Sequence, residues 1–213
     1  MNPDTVSTAH KKFMKSMQIT QDEWRDGIGF DLDALREVTD SERDSLTLIL
    51  AQQLTDHGDW RHMEALAAIG TTAATDAIRE SLKSKNMETR LHAAKFLAEI
   101  GEPADLEDTI IATLRGTDLS SGLSQAIDLA EQHPSPRLQE TLLDLALNGT
   151  EEQRIHCAAL ALFHGGKADE AFDWNHRPFF LQFGDEDRQV QIEAYKELCE
   201  RLGIAPKLPH EKP

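Results

Sequence analysis

The chain has 213 residues and carries 38 acidic against 22 basic side chains, a formal net charge of -16. A chain of this length can form one domain of ordinary size with a core of its own. Its negative charge disfavours binding to nucleic acid and to anionic membranes, because both need a cationic surface. The charge therefore indicates either attraction to a basic protein or solubility alone.

The sequence also predicts a cytoplasmic location. The opening residues, MNPDTVSTAHKKFMKSM, lack the apolar run of a secretory signal, and no apolar run approaches the length of a membrane helix. Cys157 and Cys199 each lie within an apolar helical pattern, which is typical of reduced core thiols in a cytosolic protein. A disulfide or redox pair between them is the alternative.

Two glycines lie between aromatic residues in the stretch EWRDGIGFDLDAL, residues 23–35. It is not a dinucleotide-binding fingerprint, because Leu32 stands where the third glycine belongs and no strand precedes it. It is not a calcium loop, because Leu35 stands where a third oxygen ligand belongs. We expect the glycines to allow a tight turn, with three large side chains covering the end of a helical stack: Trp24, Ile28 and Phe30.

The alternative for this stretch is contact with a partner protein. Exposed Trp24 and Phe30 beside acidic residues such as Asp26 would suit an interface, where aromatic side chains contribute much of the binding energy. At this point both interpretations stay open.

Two helices are predicted to follow. Asp31 can cap a short apolar helix, and the capping box from Thr39 to Glu42 begins a longer one. The longer helix has its apolar residues on one side: Leu46, Ile49, Leu50 and Leu54. We therefore expect residues 1–58 to form a leader and a helical cap ahead of a repeat array.

Similar helix ends recur through residues 59–203 at steps of 31, 32 and 32 residues. They are marked by Gly70, Gly101, His133 and Gly165, and a glycine suits the left-handed residue that closes a helix. Small or apolar residues precede each marker by three, four and seven positions, so they share one helix face. A second apolar helix follows each of the first three markers. The predicted unit is a helical hairpin of about 32 residues, stacked at least four times.

The last unit is longer and more aromatic than the others. Its segment DEAFDWNHRPFFLQFGDEDRQVQ predicts an irregular C-terminal cap, closed by a final helix. Trp174 and Arg177 are alternatively a partner-binding patch, because both residue types are enriched at binding hot spots. The tail, residues 204–213, holds three prolines and is expected to be unstructured.

Acidic residues are concentrated in the middle of the repeat array. Residues 99–152 hold twelve acidic side chains against Arg115 and Arg137, a net charge of -10 in 54 residues. Either these acids are the solvated face of amphipathic helices, or they form a surface that binds a cationic protein. The candidate partner-binding acids are the four that repeat register places in one column and a fifth nearby: Asp76, Glu107, Asp108, Glu140, and Asp144.

The repeat pattern resembles the HEAT-like family over about Asp59 to Gly203. The resemblance implies an all-α fold, a solenoid of antiparallel helical hairpins with an N-terminal helical cap and an irregular C-terminal cap. The stretch ITQDEWRDGIGFDLDALREV ahead of such repeats also resembles a leader on bacterial HEAT-like proteins of toxin–immunity systems. That resemblance implies a cytoplasmic protein that binds and neutralises one toxin, and it carries no catalytic residues across.

Candidate groups for catalysis or metal binding form no recognised pattern. His156 and His164 lie two helical turns apart, yet no second cluster with ligand spacing accompanies them. Neither cysteine has cationic surroundings that would stabilise a thiolate. We therefore predict no catalytic residue, no metal and no cofactor.

These observations favour a non-enzymatic immunity protein whose partner is a bacterial toxin, for example a basic nuclease. A general scaffold or adaptor for another protein complex is the alternative. A HEAT-like enzyme such as a DNA glycosylase comes third, because that activity needs a basic concave surface and this chain is acidic.

Overall fold

The computed structural model describes residues 6–57, 59–116 and 122–208, and within these ranges it contains thirteen α-helices and no strand. The prediction of an all-helical protein is confirmed. The helices belong to two compact units, Met1–Leu106 and Glu107–Pro213. Most helices pack against neighbours within their own unit, an arrangement that is compatible with a helical repeat fold.

Helix α5 is the centre of the first unit. Helices α3, α4, α6 and α7 all pack against it, and α1 packs against α3. The shared core includes Phe13, Leu35, Leu46, Leu66 and Ile78, each of them at most 2 % exposed. The helices of this unit are α1 (Thr8–Ser16), α2 (Gln21–Arg25), α3 (Leu32–Arg36), α4 (Asp40–His57), α5 (Trp60–Ile69), α6 (Thr72–Ser81) and α7 (Met87–Glu99).

The predicted helix starts near the N-terminus are confirmed. The Asp31 carboxylate accepts a hydrogen bond from the Ala34 amide at 2.9 Å and so begins α3. The Thr39 amide donates to Glu42 at 2.9 Å and the Glu42 amide donates to the Thr39 hydroxyl at 3.4 Å, which completes the capping box before α4. The described part of the predicted leader and cap, residues 6–57, belongs to the same compact unit as α5, α6 and α7.

Helix α11 has the corresponding central place in the second unit. It packs against α9, α10, α12 and α13. The helices of this unit are α8 (Leu106–Gly116), which begins one residue before the unit does, α9 (Leu123–Gln132), α10 (Pro136–Asn148), α11 (Glu151–His164), α12 (Arg177–Phe180) and α13 (Arg188–Leu202). Short 3₁₀ segments, Trp174–His176 and Leu181–Gly184, lie on either side of α12.

The helix-end markers are confirmed at three positions and displaced at the fourth. Gly70 and Gly101 have φ of 69° and 77°, in the left-handed region, and α9 ends before His133. At the last marker, Gly166 rather than Gly165 takes the left-handed conformation, with φ of 66°. Gly165 is constrained in a different way, because a Cβ at this position would overlap the end of the Leu202 side chain on α13, which would have to move.

Most of the face that precedes each marker is buried, as the spacing predicted. Ala67 is partly buried, and Ala98 is exposed in the last turn of α7. Small side chains on this face allow backbones to approach closely, and α5 packs against α7 while α9 packs against α11. The buried residues of the face are Met63, Leu66, Ala94, Leu97, Ala126, Leu129, Ala130, Ala158, Ala161 and Leu162.

Two arginines at equivalent repeat positions bind the backbone just beyond a preceding helix. Arg90 and Arg154 each lie eleven residues before a marker. Arg90 donates to the Ser84 carbonyl at 2.6 Å, and Arg154 donates to the Gly149 carbonyl at 2.9 Å. Helix ends leave carbonyl groups without an intrahelical partner, so these arginines satisfy acceptors that would otherwise lack a donor.

The C-terminal segment that the sequence marked as aromatic contains a cluster of phenylalanine side chains, which we call the aromatic cap. Phe179, Phe180 and Phe183 are buried. The centroid of the Phe179 ring lies 5.8 Å from that of Phe180 and 5.5 Å from that of Phe183. Residues 204–208 form no helix and are exposed, and the rest of the predicted tail, 209–213, lies outside the described residues.

Candidate protein-binding surfaces

The cysteine and histidine side chains considered for catalysis or metal binding are buried or partly buried. Cys157 and Cys199 are buried free thiols, and burial raises the pKa of Cys157 to about 12, so it carries no thiolate at neutral pH. Burial also lowers the pKa of His156 and of His164. Throughout the described ranges, no three His, Cys, Asp or Glu side chains come together in a way that could hold a metal ion.

Four of the predicted partner-binding acids lie together in the second unit. We use the term acidic surface for Glu107 and Asp108 of α8 with Glu140 and Asp144 of α10. Their side chains are partly or fully accessible, for example 55 % for Asp108 and 41 % for Asp144. The sequence register placed three of them in one column, and the structure brings α8 and α10 together through ion pairs.

Both arginines of the acidic stretch lie within this surface and join its two helices. Arg115 of α8 reaches the Asp144 carboxylate at 2.7 Å. Arg137 of α10 forms an ion pair with Asp108 and lies 3.9 Å from Glu107. The arginines therefore hold the acids in place and partly neutralise them, which the count of charges along the sequence did not show.

A net negative charge remains on the acidic surface. Two arginines oppose four carboxylates, and exposed Glu140 forms no ion pair with any residue that the structure describes. The Asn148 amide, and after it Arg115, lower the pKa of Asp144, so this carboxyl stays ionised. The surface consequently presents a net charge of about -2 in a fixed geometry, with Glu140 as its unpaired member.

A groove runs along the exposed side of α10. It encloses about 990 Å³ and is bordered by Glu140, Leu143 and Asp144 on α10, Leu202 on α13, and Ile204 and Lys207 of the C-terminal segment. Apolar and charged side chains alternate around it, and such mixed lining is common where a protein segment binds.

Asp76, the remaining acid of the predicted column, lies on α6 in the first unit. Its carboxylate forms an ion pair with Arg79 one turn later, and Arg79 also reaches Glu102 at 2.9 Å. Asp76 is therefore part of a local network that includes a cation.

The glycine-containing stretch of the first unit forms an exposed turn. We call residues Trp24–Gly29 the Trp24 turn. Trp24 is 64 % exposed and Ile28 is 50 % exposed, so neither covers the helical stack as predicted. Asp26 is also on the surface, paired with Arg25 at 3.2 Å. The large side chains point outward because the backbone carbonyls of the turn face inward to Arg61.

Phe30 is buried, unlike Trp24 and Ile28 of the preceding turn. It is only 7 % exposed and makes edge contacts with Phe13, at 6.1 Å between ring centroids, and with His62, at 5.1 Å. Of the three residues predicted to cover the stack, Phe30 alone does so. It offers no surface to a partner, so only Trp24 and Asp26 of the predicted contact set in this stretch are accessible.

Trp174 and Arg177 form an exposed pair on the second unit. Trp174 is 69 % exposed, and the Arg177 guanidinium carbon lies 5.0 Å from the centre of its ring. The pair is the outward side of the aromatic cap, because Phe172 contacts Trp174 on one side and buried Phe180 on the other. An exposed cation–π pair is consistent with a binding patch.

The residue that sequence reasoning missed is Arg61. It is 2 % exposed and donates to the carbonyl of Ile28 at 2.6 Å and to that of Trp24 at 3.4 Å. A buried arginine needs several acceptors, and here they are carbonyls 33 and 37 residues earlier in the chain. The local sequence gives no distinct signal, because α5 also contains the polar residues His62 and Glu64.

Comparison of the chain with family models, with curated proteins and with solved structures found no match. In the part of the chain that the structure describes, no helix combines the length and the apolarity that crossing a bilayer requires.

Proposed function

We propose that this chain is a non-enzymatic protein-binding module, an immunity protein that binds a cationic bacterial toxin in the cytoplasm and blocks its active surface. The proposal includes a HEAT-like solenoid of stacked helical hairpins as the scaffold. Within each unit, contacts between alternate helices, α5 with α7 and α9 with α11, are what such stacking requires.

The acidic surface is the observation that carries the proposal. Exposed arginine ion pairs join α8 to α10, and Glu140 and a net negative charge stay exposed beside them. A fixed field of one sign accelerates association with a partner of the opposite sign and disfavours partners of the same sign. A basic enzyme, such as a nuclease with a cationic cleft, is the class of toxin that this surface fits.

The experiment begins with the partner. The full-length chain is immobilised, exposed to lysate of its native host, and washed at low and then high salt. We expect one stoichiometric basic protein, released mainly by salt, because exposed charges are screened above about 0.1 M ionic strength. Co-expression of the chain should then protect cells from that protein.

Charge reversal tests the surface itself. The variant E107K/D108K/E140K should weaken binding at least about tenfold, mostly through slower association. The matched control D169K/E170K/E186K changes three exposed acids of the same unit by the same charge and should bind as the wild type does. Circular dichroism confirms that both variants fold, and the single variant E140K disturbs no ion pair.

The alternatives give different results. Several substoichiometric partners and no protection of cells would favour a general scaffold or adaptor. Equal loss of binding in the reversal variant and in its control would mean that only overall charge matters, and it would remove the acidic surface from the proposal.

A further inference from the structure

We propose that the Trp24 turn is a pre-formed docking element that inserts Trp24 and Ile28 into an apolar pocket flanked by cationic side chains on the partner protein. This inference rests on the proposed function and adds a second contact surface to it. The turn belongs to the first unit, and the contacts that hold it lie within that unit.

The exposed side chains of the turn contribute little to the fold. Trp24 and Ile28 are 64 % and 50 % exposed, and they lie four residues apart on one short element. Large apolar side chains exposed to water on one short element are a common feature of sites that a partner covers. Tryptophan is also the residue type most enriched at the centres of protein interfaces.

The backbone that carries these side chains is held by local hydrogen bonds. Thr20 and Glu23 form a complete capping box at the start of α2. The Asp26 amide donates to the Asp22 carbonyl at 2.9 Å, and the Ile28 amide donates to the Glu23 carbonyl at 2.9 Å. Gly27 closes the turn with φ of 69°, a conformation that glycine adopts readily.

Arg61 then fixes this backbone to the core. Its guanidinium is almost completely buried, bound to the carbonyls of Ile28 and Trp24 and paired with Asp59 at 3.2 Å. Burying a cation is unfavourable unless its hydrogen bonds are satisfied, and two of its acceptors belong to a turn whose large side chains face solvent. Rigid presentation of a contact residue reduces the entropy lost on binding, which explains why an exposed turn is anchored in this way.

The negative charge of the Trp24 turn indicates that its partner carries cationic side chains. Asp22, Glu23 and Asp26 surround Trp24, and Arg25 pairs with both aspartates, so the element keeps a net charge of about -2. Cationic side chains at the rim of the partner's pocket would meet these carboxylates and the face of the indole ring. The partner protein that binds the Trp24 turn is therefore basic and has a concave apolar site.

The test starts with site-specific photo-crosslinking in the native host. A photoreactive phenylalanine derivative replaces Ile28 in one form of the full-length chain and Leu48 in a control form. Leu48 is an exposed apolar residue of α4, 74 % accessible, and lies outside the turn. We expect one crosslinked protein from position 28 that position 48 does not give.

The crosslinked protein, purified, is then the probe for affinity measurements. W24A and I28A should each raise its Kd about 30-fold, as expected for a hot-spot residue, whereas L48A should change it less than about twofold. Both substitutions are at exposed positions, so the fold stays intact. No specific crosslink at position 28, or equal Kd values for W24A and L48A, would overturn the inference.

The two proposals fail in different ways. A partner whose binding is lost in E107K/D108K/E140K but unchanged in W24A supports the proposed function and refutes docking by the turn. A partner that depends on Trp24 and is insensitive to the charge reversal supports the turn and removes the acidic surface. A crosslinked partner with an acidic surface at the contact would refute the cationic pocket.

Discussion

Glu42 binds Ser7 through two hydrogen bonds that join positions 35 residues apart. The Ser7 amide donates to one carboxylate oxygen at 2.7 Å, and the Ser7 hydroxyl donates to the other at 2.9 Å. The same carboxylate accepts from the Thr39 amide and hydroxyl. The Glu42 side chain therefore completes the capping box of α4 and also binds Ser7, the residue that caps α1.

We expect E42Q to weaken the attachment of α1, with an effect that depends on pH. The amides of Ser7 and Thr39 lower the pKa of Glu42 from 4.5 to about 2. Because the folded pKa is below the unfolded one, the stabilisation is complete above about pH 4.5 and is lost as pH falls through 2. Melting temperatures of both proteins, measured from pH 7 to pH 2, should therefore differ at neutral pH and converge at the acid end. A constant difference across this range would contradict the assignment.

Protonation of His92 should lower the free energy of unfolding in a higher pH range than protonation of Glu42 does. Burial, with a smaller effect of Lys95, lowers the pKa of His92 to about 4, while Glu88 and Asp59 are the acidic groups near it. The unfolded chain takes up this proton near pH 6.5 and the folded protein only near pH 4, so stability declines between these values. Urea unfolding of H92Q at pH 7, 6, 5 and 4 should show a shallower decline. Substitution of exposed His133 by glutamine serves as the control.

Removal of the Arg61 side-chain donors should loosen the Trp24 turn before it unfolds the protein. In R61M the Ile28 carbonyl loses its Arg61 donor, whereas the Trp24 carbonyl keeps the Gly27 amide at 3.2 Å. Loss of the donor to a part-buried carbonyl costs up to about 1–3 kcal/mol. We expect amide hydrogen exchange of Ile28 to accelerate at least about tenfold. R25M lies within the same element but removes only exposed ion pairs, so its exchange rate should stay near that of the wild type.

Arg90 and Arg154, the arginines at equivalent repeat positions, should contribute more to the free energy of unfolding than arginines that form only surface ion pairs. Arg154 donates to the carbonyls of Gly149 and Phe183 at 2.9 Å and 2.7 Å, so R154M is expected to lower the free energy of unfolding by about 1–3 kcal/mol. R36M removes only a surface ion pair with Asp33 and should change it by less than about 0.5 kcal/mol. Chemical denaturation of both variants decides between these values. Equal effects would mean that the two carbonyls find water as an alternative donor.

The sequence predicted those features that depend on residues close together along the chain. The caps at Asp31 and Thr39 and the helix ends at Gly70 and Gly101 involve contacts within about eight residues, and the apolar faces follow a local spacing of three and four residues. Periodicity and capping chemistry are sufficient for such features. The repeat register also predicted Glu107, Asp108 and Glu140 in one column. The structure joins α8 to α10 through the ion pairs of Asp108 and Asp144, and the column as a binding surface stays a prediction.

The features that were missed depend on contacts between distant residues. Trp24 and Ile28 are exposed because Arg61, more than 30 residues later, binds the carbonyls of their turn. Arg115 and Arg137 lie within the acidic surface because each reaches 29 residues along the chain to an aspartate. No local pattern distinguishes an arginine that faces solvent from one that binds a carbonyl or a carboxylate on another helix.

The adjacent glycines at the end of α11 differ in the kind of constraint they impose. At Gly165 the obstacle to a side chain is volume, because Leu202 already occupies the space that a Cβ would need. At Gly166 the space beside the backbone is open, and the obstacle is chirality, since φ of 66° suits a D-amino acid better than an L-amino acid. Natural mutation tests the first constraint through G165A, whereas chemical synthesis tests the second, because D-alanine at position 166 would match the handedness of the backbone there.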